Sequence, residues 1–549
     1  MSRSPRAELR KDGVAGLVLG LQSVPDGLAT GLLAGANPLA GLYAYLFGMV
    51  GAATSTGTPL MVVAATGAMS LIIADADLGH SPDPDRALYT LAVMTGVIMV
   101  LAGLLRAGKL VRFVSTAVMT GFITAVGVNI VLGQLSTLTG YVGRGANRLV
   151  RSVDVLVHVR QWQPLTVAVG VLTIAAILVL RRTRVGSLGL VLAVALGSLL
   201  AFICNTVRAG SVDVLDHIVA VPNGLPTPVL PDVGVIGYLL LPALSLSLVG
   251  LVQGAGVSAA TPTPDGRPAD ASRDFLGQGV GNLVSGVFRG MPVGGSMGAT
   301  ALAVAAGART RAAIFIAGAV MAVTILFAAD TVGHVAMPAL AGLLIVIGVT
   351  AIKPSRVLSV IRSSPAQAII MAITFVLTVT IRLQFAVLIG VVLTFIVFVA
   401  HQANRVKVRQ LNLAADGAVR ESEPPPVVPP HTAVVLQVFG SLFFASAPTF
   451  ERQLPAVGPH TRGSVVIVRL RGIDQIGLSH IEVLRRYANS LRTAGCTLKI
   501  VASEPQVLQQ LDTLSEDIGR DNIYAGTEWI GTALRTAYND ALQEITDTR

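Results

Sequence analysis

Residues 27 to 74 run for 48 positions without one Asp, Glu, Lys or Arg. A helix crosses a bilayer with about 20 apolar residues, so this stretch exceeds a single crossing. Similar uncharged runs cover Val185–Val207, Val233–Pro264, Gly290–Ala308 and Leu383–Asn404, the last holding neutral His401. Charged residues make up 13% of the 549, about half of what an ordinary soluble domain carries. The chain is therefore expected to form an integral, multi-pass inner-membrane bundle in contact with lipid.

Charge and motifs narrow the function. Residues 432–549 hold 11 Lys/Arg and 12 Asp/Glu, leaving 29 against 18 in the rest, so the net +10 belongs to the membrane part. That pattern marks membrane topology, and no nucleic-acid partner is expected. The basic start and first apolar run imitate a secretory signal, but no small-residue cleavage site follows and the segment reads as retained. Cys204 lies in an apolar run and Cys496 in a polar region, which supports neither a disulfide framework nor a metal cluster. The chain has no G-x-x-x-x-G-K-[ST] and no metal-spaced His/Cys set. It reads as no enzyme, without cofactor, and not directly driven by ATP.

Apolar runs set against breakers predict spans near 13–33, 38–56, 60–76, 87–105, 113–137, 163–181 and 187–205. A second set of seven falls near 235–257, 274–290, 296–308, 311–330, 336–352, 365–381 and 383–401. With fourteen spans, the basic clusters around Arg10, Arg106, Arg181, Arg309, Lys353 and Arg405 share one side, which the positive-inside rule makes the cytoplasm, along with both termini. Arg144, Arg148, Arg151 and Arg160 fall on the other side. They predict either a surface-lying helix or a displacement of the fifth and sixth spans.

The membrane domain is expected over 1–405, and residues 406–431, closing in Pro424, Pro425, Pro426, Pro429 and Pro430, read as an extended spacer. Beyond it, strands near 433–438, 465–470 and 498–502 alternate with helices near 478–494, 505–515 and 528–545. This predicts a small α/β domain over 432–549.

Two spans are short and broken: Pro59 to Ser70 and Met291 to Thr300, each third in its set of seven. A matched pair of Gly/Pro-interrupted segments points to an inverted-repeat transporter with its substrate between half-helices at the membrane midplane. Each helix start leaves backbone N–H groups without partners, and an anion satisfies them. Thr66, Gly67 and Ala68 are expected at one start and Ser296, Met297 and Gly298 at the other, with hydroxyls from Thr66, Ser296 and Thr300. Asp26, between Pro25 and Gly27, is the clearest ionisable residue inside a span and the candidate coupling group. Gln22 and Gln253 are candidate site-lining residues. They suit interhelical hydrogen bonding equally well, as do Asn129, Gln278 and Asn282.

The first span, Gly20-Leu-Gln-Ser-Val-Pro-Asp-Gly-Leu-Ala-Thr-Gly-Leu-Leu-Ala-Gly35, and Pro38-Leu-Ala-Gly-Leu-Tyr43 resemble a signature of the SulP anion transporters, with Asp26 at its Gln position. Phe275 to Asn282, Gly290 to Ser296 and Ala306 to Thr310 are similar to that family's ninth and tenth spans. Gly440 to Phe444, Val465 to Leu470 and Gly472 to Gly477 look like its C-terminal STAS domain. The resemblance implies fourteen helices in a seven-plus-seven inverted repeat shared with uracil permeases, with a core domain moving elevator-like against a gate domain, and a homodimer. Gln253 stands where the family often has an acidic residue, and Ala299 where many relatives have Arg. Gln475 and Ile476 replace the phosphorylated Ser or Thr of related signalling domains, while a cytosolic partner of the STAS domain stays open. The expected function is secondary transport of a small inorganic anion, of sulfate or bicarbonate type, coupled to a proton or sodium ion. An uncoupled anion channel or carrier and a membrane-tethered signalling protein are the alternatives.

Overall fold

The computed structural model describes residues 5–106, 115–145, 147–183, 188–208, 210–219, 222–261, 270–381, 383–414, 418–527 and 531–547. It divides into two units, Met1–Thr394 and Phe395–Arg549.

The first unit is helical. Its first half comprises α1 (Pro5–Leu33), α2 (Pro38–Tyr43), α3 (Met49–Ala53), α4 (Gly67–Asp75), α5 (Pro84–Leu104), α6 (Thr116–Thr139), α7 (Arg148–Val157), α8 (Pro164–Leu180) and α9 (Gly189–Val207). Its second half comprises α10 (Ile236–Ala260), α11 (Ala271–Val287), α12 (Met297–Ala305), α13 (Ala312–Phe327), α14 (Ala329–Gly333), α15 (Met337–Ala351), α16 (Pro354–Ser363) and α17 (Pro365–Thr380), and α18 (Leu383–Ala403) follows. Among the described residues, five helical segments are long and apolar enough to cross a membrane: Pro84–Leu104, Thr116–Thr139, Gly189–Val207, Val233–Ser258 and Met337–Ser363.

Local chemistry sets several of these boundaries. Asp83 caps α5 ahead of Pro84, a residue that suits a first helical turn because it has no N–H to satisfy. Ser115 caps α6, and Gly140, at φ 69°, ends it in the left-handed conformation. Between the two chain segments that hold Arg144 and Arg160 lies α7, capped by Asn147. The predicted fifth and sixth spans stand at α6 and α8 on either side of it, so the basic segment is a short helix and not a sign of displaced spans.

Two sub-bundles form. Helices α1 to α5 pack with α10 to α13, and α6 to α9 pack with α15 to α17. Glycines bring backbones together inside the first: a Cβ on Gly41 of α2 would lie 2.1 Å from Gly27 O and 2.6 Å from Gly31 N of α1. The two sub-bundles meet where α4 touches α6 and where α1 touches α6, α9 and α15.

The second unit is an α/β domain. Its six strands are β3 (Lys407–Leu413), β4 (Val419–Ser422), β5 (Ala433–Phe439), β6 (Val465–Leu470), β7 (Thr497–Ala502) and β8 (Ile523–Ala525). They run in the order β4-β3-β5-β6-β7-β8, antiparallel across β4-β3-β5 and parallel from β5 to β8. Helix α20 (Leu478–Thr493) and α21 (Pro505–Leu511), with α19 (Ala447–Glu451) and α22 (Ser515–Ile518), cover one face, and α23 (Thr532–Asp547) covers the other. Residues 406–431, expected as an extended spacer, instead supply β3 and β4. Val408 and Leu411 are buried in the sheet's two cores, and Val428 is 1% exposed. Val408 and Leu411 face opposite sides of β3, each filling one core, and the prolines lie beyond β4.

Candidate functional site

The two broken segments meet. Strand β1 (Val63–Ala64) pairs antiparallel with β2 (Gly294–Gly295), Val63 opposite Gly295 and Ala64 opposite Gly294. Ser296 N donates to Val62 O at 2.9 Å, and Val62 N donates to Thr300 Oγ1 at 3.0 Å. Each strand then turns directly into a nine-residue helix, α4 or α12. The N-cap residues are Thr66 (φ −119°, ψ 154°) and Ser296 (φ −93°, ψ 108°). Their hydroxyls accept from Met69 N at 3.4 Å and from Ala299 N at 3.2 Å. Side-chain caps of this kind satisfy one orphan donor of a helix start and leave others facing outward.

The glycines of β2 answer to close neighbours. A Cβ on Gly294 would meet Gln253 Oε1 and Met69 Sδ at 2.9 Å, and one on Gly295 would meet Gly254 Cα at 2.9 Å. From α11, Asn282 clamps Val293, accepting from its N at 2.9 Å and donating to its O at 2.7 Å, while Gln278 Oε1 accepts from Gly295 N at 2.9 Å. Asn282 and Gln278, expected equally as interhelical glue, thus bond to backbone beside the second helix start.

A cavity of about 560 Å³ opens on both helix starts. Thr66, Gly67, Ala68, Ser296, Met297 and Gly298 line it, with Gln22, Asp26 and Gln253. The side-chain amide of Gln253 reaches Thr66 Oγ1, Nε2 at 3.1 Å and Oε1 at 3.2 Å. Gln22 Nε2 donates to Asp26 Oδ2 at 3.5 Å, and the buried Asp26 Oδ1 and Gln22 Oε1 have no hydrogen-bond partner among the described residues. Thr30 Oγ1 turns back to the carbonyls of Asp26 and Gly27, at 2.9 Å each.

Thr300 is the exception among the sequence candidates. It is 3% exposed, holds Val62 N and does not line the cavity. One helical turn beyond Ser296, its side chain leans back toward the helix start and onto the neighbouring strand. Sequence reasoning missed Tyr45, which lines the cavity from a single π-helical turn, Ala44–Gly48. It also missed Arg181, the only Lys or Arg among the described lining residues, at the C-terminal end of α8. Ala299 lines the cavity as well.

Helix starts paired across a short antiparallel ladder and opening on one cavity inside a helical bundle are the arrangement of a membrane transport protein. The sequence agrees: residues 9–374 match the sulfate permease family and residues 424–520 the STAS domain. The chain belongs to the sulfate permease family, whose members are transporters and not enzymes. It is 28% identical over 407 residues to the bicarbonate transporter BicA of Picosynechococcus, covering 72% of this chain and 71% of the relative. It is 23% identical over 563 residues to sulfate transporter 4.1 of Arabidopsis thaliana, covering 97% and 80%. In fold it matches SLC26A9 with a TM-score of 0.85 at 17% identity, over 99% of this chain and 92% of that one. The transmembrane domain of a cyanobacterial BicA matches with a TM-score of 0.59 at 24% identity, over 71% and 97%.

Proposed function

We propose that this protein is a secondary transporter of a small inorganic anion, of the sulfate or bicarbonate type, held between the N-termini of α4 and α12. The observation that carries the reading is the convergence of Thr66 and Ser296, both N-caps, on one cavity. Each helix start acts as about half a positive charge. Two of them beside hydroxyl and amide donors suit an anion that gives up its water.

The cation partner in this reading is a proton or sodium ion at Asp26, whose Oδ1 and the nearby Gln22 Oε1 lack partners among the described residues. Movement follows the two sub-bundles: α1 to α5 with α10 to α13 carry the site as a core that slides elevator-like against α6 to α9 with α15 to α17. The matched strand-and-helix pair supports a seven-plus-seven inverted repeat of fourteen crossings, with both termini on the cytoplasmic side of the inner membrane, and a homodimer is the proposed assembly. The STAS domain is the proposed seat of regulation through a cytosolic partner.

The test is uptake by proteoliposomes of sulfate, bicarbonate, chloride and small dicarboxylates under imposed proton and sodium gradients. Concentrative uptake of an inorganic anion supports the proposal, and concentrative uptake of a dicarboxylate alone overturns the inorganic assignment. Flux that ignores both gradients assigns an uncoupled carrier or channel, which the Gln253 side chain in place of a carboxylate favours. No flux or binding of any anion, together with capture of a cytosolic partner, assigns a signalling protein.

A further inference from the structure

At the C-terminal end of α4, opposite the helix start at the cavity, Arg148 of α7 reaches across the sub-bundle boundary. Its Nη2 lies 2.8 Å from Asp75 Oδ1 and 3.3 Å from Leu71 O, so it pairs with a carboxylate and caps a helix terminus at once. Helix α7 is fastened to the other sub-bundle, Ser152 Oγ donating to Leu132 O of α6 at 3.0 Å. The cavity, by contrast, extends to Arg181, Ala305 and Ala351, at the ends of α8, α12 and α15. The ion pair thus sits at the C-terminal end of α4, whereas the cavity runs from the two helix starts toward the C-terminal end of α12.

We propose that the Asp75–Arg148 pair is the latch that closes the far side of the site, made while the cavity is open and broken when α4 moves with its sub-bundle. The proposal rests on the transporter reading above and names the residues that set which face the site addresses.

Three observations support a switchable pair over a fixed strut. The partners are 18% and 16% exposed, so releasing them costs far less than parting a fully buried pair. Polar cavities of about 280 and 300 Å³ lie beside the pair, each lined by both Asp75 and Arg148, giving water a place to enter. Asn129 lines one and Gln134 the other, and the buried Asn129 Oδ1 and Gln134 Oε1 have no partner among the described residues. Both belong to α6, so each is an alternative acceptor for the guanidinium on its own sub-bundle once α4 departs.

The experiment uses full-length protein reconstituted in vesicles, with Cys204→Ser and Cys496→Ser. A single reporter, Gly298→Cys, lines the cavity at a position with no heavy atom within 4 Å of the added Cβ. An impermeant maleimide is added to one face or the other. In the parent the reporter labels from the cavity's open face. Arg148→Gln or Asp75→Asn raises labelling from the opposite face on the order of tenfold, a modest population shift, and the swap Asp75→Arg with Arg148→Asp reverses it. Unchanged opposite-face labelling in both single variants overturns the latch, as does an increase that the swap does not reverse. A merely structural pair lowers thermal stability without altering sidedness. Should one single variant fail to fold, the other decides. Anion uptake by vesicles of the unsubstituted protein is read separately: its absence sinks the transporter reading, whereas labelling needs no transported anion.

Discussion

When ionised, Asp26 places a full negative charge next to two helix starts that together supply about one positive charge. In the proposed reading, a site balanced in this way takes an anion most readily when the carboxylate is neutralised, which would tie the two ions together. Asp26→Asn is expected to keep anion exchange and lose uptake driven by a proton or sodium gradient, and Gln253→Glu in that background to restore part of it. Counterflow measured beside gradient-driven uptake checks this; an Asp26→Asn protein that still concentrates its anion refutes it. Thr66→Leu and Ser296→Leu put an apolar side chain where a hydroxyl caps each helix start, and both should abolish anion binding in a scintillation assay while the protein stays monodisperse. Unchanged affinity in both sinks the half-helix site. That Thr66 and Ser296 open two helices was legible in the sequence because a hydroxyl following a Pro/Gly-rich extended segment is a helix-start signal. Thr300 was misread because spacing along a helix does not reveal which neighbour a side chain leans toward. Arg181 was hidden in a cluster that positive-inside bias explains without a cavity.

At the scale of elements, the contact between α1 and α2 depends on backbones that nearly touch. Gly41→Ala forces a Cβ against Gly27 O and Gly31 N, backbone atoms that cannot swing aside, and is expected to cost about 1–3 kcal/mol or more. A lowered melting temperature in detergent checks this; an unchanged one means the helices can slide apart freely. Apolar run length and Gly/Pro breaks made the long helices and the two half-helices readable. The π-helical turn at Ala44–Gly48 was not, since it arises from local packing within an unbroken apolar run. Nor were β3 and β4: Lys407-Val-Arg-Gln-Leu-Asn-Leu413 has few apolar residues, and its burial comes from pairing with β5, a partner more than twenty residues on. Proline content in the neighbouring stretch pointed the other way.

For the molecule as a whole, the sheet defines where an independent domain can begin. A fragment 405–549 should unfold cooperatively, and one starting at 432 should melt lower because it bares the β5 edge and loses Val408 and Leu411 from the cores. Equal melting temperatures would show that β3 adds nothing. Inside the domain His480 is fully buried, 3.2 Å from Ser446 Oγ, and burial pushes its pKa down from 6.5 to about 4. The unfolded chain therefore binds a proton that the folded one refuses. His480's contribution to stability is complete above about pH 6.5 and falls as pH drops toward 4. Melting of the 405–549 fragment followed over that range checks the sign, and His480→Phe should flatten the slope.

Val62 and Thr300 are joined across 238 residues of chain, and that distance has a meaning for biogenesis. A ribosome adds about 5–20 residues per second, so α4 is made on the order of ten seconds or more before the strand that completes its entry. Until then the nascent chain carries a half-built core whose polar backbone has no partner in lipid, the kind of defect that membrane quality control detects. A chain ending before residue 290 is expected to insert and then be degraded quickly, while supplying residues 291–394 as a separate polypeptide should prolong its lifetime in a pulse-chase measurement.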